Sequence, residues 1–229
     1  MPAVSQLHFI GGEKGGVGKS VVARLLAQYW IDRSKPLAAL DADTSGSVLL
    51  RHYGDFTQSV DLALPDSADQ IFDRALGKER NVIVDLPAQS ASSLRSWLFG
   101  ANVLGLASEL GIGVTFWHVS DGGFASVRQI ESALDTYASR ARHVLVKNHG
   151  RSRDFSQFES SPAREKLGEL SGTEFDLPEL DAGAMYKVDS EGLSFWAAIN
   201  ADTTLRPLER QRVKLWLEQC YAKLDALVS

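Results

Sequence analysis

The chain has 229 residues, 24 basic and 29 acidic, for a formal net charge of −5, which excludes a strongly basic nucleic-acid coat but leaves room for a local basic patch. Its single cysteine, Cys220, excludes an internal disulfide and any thiolate metal centre built within one chain. A hydrophobic content of 44% supports a sizeable core, and no apolar run approaches the ~18 residues of a membrane span.

Short apolar runs alternate with helical periodicity. Residues 7–10 predict a strand ending at Gly11-Gly12. Residues 20–31 predict a helix with Val22, Leu25, Leu26, Tyr29 and Trp30 at helical spacing. Further strands are expected at 37–40, closed by Asp41, and at 81–84, closed by Asp85. Three more are expected at 112–118, 143–147 and 173–177, with helices at 124–140 and 163–170 fitted between them. A long final helix over 205–227 carries the stripe Val213, Trp216, Leu217, Cys220, Leu224 and Leu227. Strands that are apolar on both faces and alternate with helices indicate an α/β fold with a mostly parallel sheet and helices on both faces. Nothing like a repeat or a low-complexity linker divides the sequence, so a single domain over 1–229 is expected.

Between the first strand and the first helix lies Gly12-Glu13-Lys14-Gly15-Gly16-Val17-Gly18-Lys19-Ser20. Glycines at 15, 16 and 18 let the backbone, Val17 included, curl so that successive N–H groups face an anion. The helix beginning near Lys19 aims its positive end at the same point. Lys19 supplies a point charge for the β- and γ-phosphates of a nucleotide, and the Ser20 hydroxyl is placed as a Mg²⁺ ligand. The strict pattern G-x-x-x-x-G-K-[ST] fails at Glu13, whereas K-G-G-x-G-K-[ST], starting at Lys14, is matched in full. Two lysines in one loop, Lys14 and Lys19, are expected to repel each other until a nucleotide settles them. Asp41 and Asp43 follow the second strand, where both can turn toward a ligand at the sheet edge. Asp85 ends the run Val82-Ile83-Val84, as the carboxylate that holds the water shell of Mg²⁺ does.

The run from Lys14 to Ser20 resembles the deviant Walker A motif of the ParA/MinD group of P-loop ATPases, and Asp85-Leu86-Pro87 resembles the start of that group's second switch. The resemblance implies a SIMIBI-like P-loop fold with ATP and Mg²⁺ as cofactors. Lys14 would reach across an ATP-bound homodimer to the partner's phosphates, and Asp43 would orient the attacking water. Asp41 would support the metal through water, beside Ser20 and Asp85. Where the group has D-x-D-P-Q, this chain has Asp41-Ala42-Asp43-Thr44-Ser45. In the wider P-loop group an Asn at the position of Asn148 hydrogen-bonds the base. Residues 175–180 resemble the proline turn that follows, with Pro178 beside the base. His149-Gly150-Arg151 lack the acid of an N-K-x-D guanine reader, which favours adenine.

The implied activity is slow, partner-stimulated ATP hydrolysis by a switch that dimerises on ATP. It would position or segregate DNA, as in plasmid or chromosome partition, or move a cargo complex. An accessory ATPase of plasmid mobilisation or conjugation, and a metabolic ligase or kinase on the same fold, are the alternatives. Arg151, Arg153, Arg164 and Lys166 form one basic cluster, and Arg206, Arg210, Arg212 and Lys214 another. Either fits non-specific DNA contact, with a ParB-like or cargo-adaptor protein as a further partner. Residues 225–229 lack the basic face of a membrane helix, and residues 1–6 lack a secretory leader, so a cytoplasmic location without membrane contact is expected. No two of the five histidines are spaced i, i+4, and no metal site is expected from them.

Overall fold

The computed structural model describes residues 5–76 and 80–228. The buried run Leu7-His8-Phe9-Ile10 forms β1 (Gln6–Gly11), followed by α1 (Lys19–Asp32) and β2 (Leu37–Asp41). α2 (Val48–His52), β3 (Thr57–Ser59) and α3 (Pro65–Asp73) lead to β4 (Asn81–Asp85). Then come α4 (Ala91–Gly100), α5 (Val103–Glu109), β5 (Gly113–Ser120), α6 (Phe124–Tyr137) and β6 (Arg142–Asn148). α7 (Ser156–Glu159), α8 (Pro162–Glu169), β7 (Thr173–Leu177), α9 (Ala182–Ser190), α10 (Phe195–Asn200) and α11 (Pro207–Val228) complete the described chain.

The seven strands form one parallel sheet in the order β3-β2-β4-β1-β5-β6-β7. β1 is central, with Phe9 in register with Val84 on one side and Phe116 on the other. A parallel strand in this position is covered twice, which is why its sequence is apolar without alternation. Ile10, Ile83, Trp117 and Phe175 pack toward α1 and the α9–α11 layer. Leu7, Phe9, Val84 and Phe116 pack toward α3, α4 and α5. Burying a side chain the size of Phe9 is worth roughly 1.5–3 kcal/mol, so these two faces dominate the stability of the sheet. The strand order gives β1 neighbours from two different crossovers, and the crevice at such a reversal lies outside the carboxyl ends of the strands.

α1 is wedged between the sheet and the α9–α11 layer, so even Arg24 is fully buried there. Its guanidinium donates to Asp189 at 2.8 Å and lies 5.5 Å from the Phe195 ring centre. Removing Asp189 would leave a buried charge unpaired, a change of the costly kind.

The expected strands recur within two residues of their sequence positions. The 124–140 helix ends as an α-helix at Tyr137 and tightens into a 3₁₀ turn at Ala138–Arg140, where Ala138 has φ 46°. β3 and helices α2 to α5, α7, α9 and α10 are not marked by the sequence pattern. β3 is three residues, Thr-Gln-Ser, on the sheet edge with only Thr57 buried, and α2 is a five-residue turn, so neither is long enough to show a period.

The histidines are less scattered than their spacing implies. His118 Nε2 and His143 Nδ1 meet at 3.0 Å across the β5–β6 ladder, and His143 Nε2 lies 2.8 Å from the Ala138 carbonyl. Burial pushes His8 and His52 down to about 4 and His118 down to about 3, so all three are neutral in the fold. An unfolded chain takes up these protons below about pH 6.5, so the unfolded state binds more protons there. Their share of the stability is therefore complete above pH 6.5 and is lost as acid is added, while Asp85, whose pKa burial raises, works in the opposite sense. In denaturant melts at pH 7, 5.5 and 4.5, acid should lower the wild-type midpoint relative to that of His8→Gln, and a constant difference over that range would contradict this burial.

Candidate nucleotide-binding site

The loop after β1 owes its shape to two glycines. Gly18 has φ +103°, and a Cβ there would come within 2.3 Å of Asn148 Nδ2. At Gly12, a Cβ would come within 2.8 Å of the Val119 carbonyl. Gly18 is also the N-cap of α1 and provides no side-chain cap, so the first N–H groups of the helix stay available to an anion. Lys19 Nζ folds back over the loop, donating to Gly12 O at 2.7 Å and to Lys14 O at 3.2 Å. Burial lowers its pKa, while Asp85, Glu13 and Asp43 favour its charged form.

Three strand ends converge on this loop. Asp85, at the end of β4, is buried, and neither carboxylate oxygen has a hydrogen-bond partner in normal geometry among the described residues. Burial pushes its pKa up to about 7, with the Ser20 hydroxyl and Lys19 pulling the other way. An orphaned buried carboxylate is expensive unless something cationic completes it. Asp43 Oδ1 accepts from Ser45 N at 3.1 Å, Ser45 Oγ at 2.6 Å and Gly46 N at 3.1 Å. Those bonds, Ser45's first, hold its pKa low and fix the turn at the position where Pro and Gln are missing. Asp41 is buried and spends Oδ1 on Asp43 N at 3.0 Å and Oδ2 on Leu50 N at 3.0 Å. It staples the segment from β2 into α2.

Lys14 and Lys19 do not confront each other as the sequence suggests. The exposed Lys14 ammonium pairs with Asp121, just past β5, while Lys19 is occupied by carbonyls. Burial works against the Asp121 carboxylate, but Lys14 and Ser126 hold its pKa below the usual range. Asp121 could have been found from sequence by the same signal as Asp41 and Asp85, an acid directly after an apolar strand.

On the other side of the loop, Asn148 donates from Nδ2 to Val17 O at 2.7 Å and accepts at Oδ1 from Gly150 N at 3.0 Å. Its amide therefore pins the loop, and contact with a base would share one of these two atoms. Pro178 lies just beyond β7, whose Leu177 pairs with Asn148, and its carbonyl accepts from Trp216 Nε1 at 2.8 Å. A cleft of about 360 Å³ is lined by Gly15, Gly16, Gly18, Lys19, Ser20 and Asp43 together with Arg24, Arg51, Arg151 and Asp189. Arg51 also holds the Asp189 carbonyl of α9.

Five of the eight side chains in the basic clusters pair with acids: Arg153 with Glu179, Arg164 with Glu174, Lys166 with Asp135, Arg206 with Glu209 and Arg212 with Asp181. Arg210 donates to the Leu205 carbonyl at 2.9 Å and keeps its charge, Lys214 is exposed with no ion pair among the described residues, and Arg151 lines the cleft.

No known family profile matches the chain. By sequence it is similar to Protein MobD of Acidithiobacillus ferrooxidans, at 25% identity over 198 residues, covering 84% of this chain and 86% of that protein. It is also similar to Protein TraL of Escherichia coli, at 23% over 243 residues, covering 97% and 98%. Among solved structures, it is similar to the septum site-determining protein MinD of Pyrococcus horikoshii, solved with Mg-ADP (TM-score 0.57, 14% identity, 99% of both chains). A nucleotide-binding protein of Archaeoglobus fulgidus in complex with ADP superposes with a TM-score of 0.56 at 19% identity, covering 82% of this chain and 87% of that one. The chain has the MinD-type P-loop fold. No described helix is long and apolar enough to cross a membrane.

Proposed function

We propose that the chain is a single-domain, cytoplasmic, Mg²⁺-dependent ATPase switch that dimerises on ATP and serves as an accessory protein of plasmid mobilisation or conjugation. The orphaned Asp85 carboxylate beside Ser20 and Lys19 carries this reading. A hard divalent cation with a triphosphate completes all three groups at once. Ser20 and Asp85 would hold the ion, Asp41 would support its water shell while keeping the loop closed, and Asp43 would orient the attacking water. The backbone from Gly15 to Gly18 would take the phosphates, with the base, taken as adenine, between Asn148 and Pro178. The names of its sequence relatives, MobD and TraL, favour mobilisation over partition. The ion pairs that engage Arg164 and Arg206 favour a protein cargo or adaptor, while Arg210 and Lys214 leave the second cluster open to direct DNA contact.

Lys14 is the part of the site that serves no intramolecular phosphate contact, since Lys19 already fills that place. Lys14→Ala should bind ATP within about threefold of the wild type yet fail to dimerise. Sedimentation with ATP and with ADP tests both halves. A wild-type dimer that needs ATP supports the switch, and an unimpaired Lys14→Ala dimer removes the cross-subunit role.

A further inference from the structure

Behind the phosphate loop, a second cavity of about 310 Å³ opens between α4 and α6. Its walls include Leu86, Leu94, Phe116 and Ile130, and Gln129, Ala133 and Thr136 line it from one face of α6. Of the polar groups in this lining, two bear on what it could hold. The first is His118. The Ala138 carbonyl can only accept, so His143 Nε2 must donate to it, and His143 Nδ1 is then an acceptor. His118 Nε2 must therefore donate to His143, which leaves His118 Nδ1 as an acceptor with no donor among the described residues. The second is Arg95, exposed at the rim and without an ion pair among the described residues.

We propose that this cavity is an effector site for a small aromatic anion. Its rings would lie against Phe116 and Ile130, an N–H or O–H would donate to His118 Nδ1, and its acidic group would face Arg95. The volume lies at the small end of ligand sites, which suits a molecule of two or three rings. Gly12 and Glu13 form part of the cavity wall, and Glu13 clasps the start of α4. Its Oε1 accepts from Ala91 N at 2.9 Å and its carbonyl from Gln89 N at 3.3 Å. An occupant therefore touches the phosphate loop and the segment after Asp85 together, and occupancy and nucleotide binding bias each other equally. This coupling, though not the cavity itself, rests on the nucleotide reading above.

The probe is 1-anilinonaphthalene-8-sulfonate, which carries an N–H, two ring systems and a sulfonate, titrated by fluorescence into the intact chain. One saturable site per chain is expected. Ala133→Phe, which fills the cavity, should weaken the probe at least tenfold, and Arg95→Gln at least threefold, with unchanged thermal melts. Should Ala133→Phe fail to fold, Gln129→Trp on the same helix face is the plug. ADP should shift the probe's dissociation constant at least threefold, and the probe should shift that of ADP by the same factor. Binding to several weak sites, or affinity unmoved by the plug or by Arg95→Gln, overturns the site. An absent mutual shift overturns its effector role. ADP titration without probe judges the nucleotide reading separately. If wild type binds no ADP, that reading and the coupling fall together, while the plug still decides the cavity.

Discussion

Lys19→Ala is expected to lower ATP affinity at least 100-fold in calorimetry. The ammonium is already poised over the loop on the Gly12 and Lys14 carbonyls, so little reorganisation is needed when phosphates arrive. Each charge-assisted hydrogen bond to a phosphate oxygen is worth roughly 1.5–3 kcal/mol, and two of them account for a 100-fold loss. What remains is the uncapped N-terminus of α1 and the loop N–H groups, which hold an anion weakly without a countercharge. A thermal melt of the variant, run alongside, separates lost binding from lost folding. Near-wild-type ATP binding would remove the phosphate-loop assignment.

Asp43→Ala should slow single-turnover ATP hydrolysis by about 10²- to 10⁴-fold while affinity changes little. The acid is held by Ser45 and Gly46 in a turn that Asp41 anchors from beneath, so its removal leaves Lys19, Ser20 and Asp85 in place. The dimer should then persist, because the step that dissolves it is blocked. Unchanged single-turnover hydrolysis would pass the water-orienting role to Asp41 or to residues 86–90. No turnover in wild type, even with partner-containing extract, would replace the ATPase by a nucleotide-dependent scaffold.

The glycine loop between β1 and α1 was legible because its signal is local. Glycines, lysines and the hydroxyl stand within nine residues of one another, and their strand–loop–helix context shows in the apolar pattern. Asp85 was legible for a similar reason, as an acid closing an apolar strand. The partners of these residues were not. Lys14 meets Asp121 across 107 positions, and Arg24 meets Asp189 across 165. No spacing rule reaches that far, and only the strand order makes these pairs neighbours. The i, i+4 test applied to the histidines sees one helix face, whereas His118 and His143 meet across two adjacent strands. The ion pairs of the basic clusters were hidden for the same reason. Their arginines are close in sequence, but their acids arrive from elsewhere, such as Glu179 for Arg153 and Asp181 for Arg212.

Asp41 joins the end of β2 to α2 through Leu50 N, and the next residue, Arg51, grips the Asp189 carbonyl near the end of α9. α9 in turn begins just after Pro178, on the side given to the base. The same Asp189 holds the buried Arg24 of α1 through its carboxylate. In the proposed switch, a movement that begins at the turn after β2 would pass through Leu50 and Arg51 to Asp189, and from there to the helix that begins at Lys19. The first switch and the helix behind the glycine loop would then move as one body rather than as two independent parts.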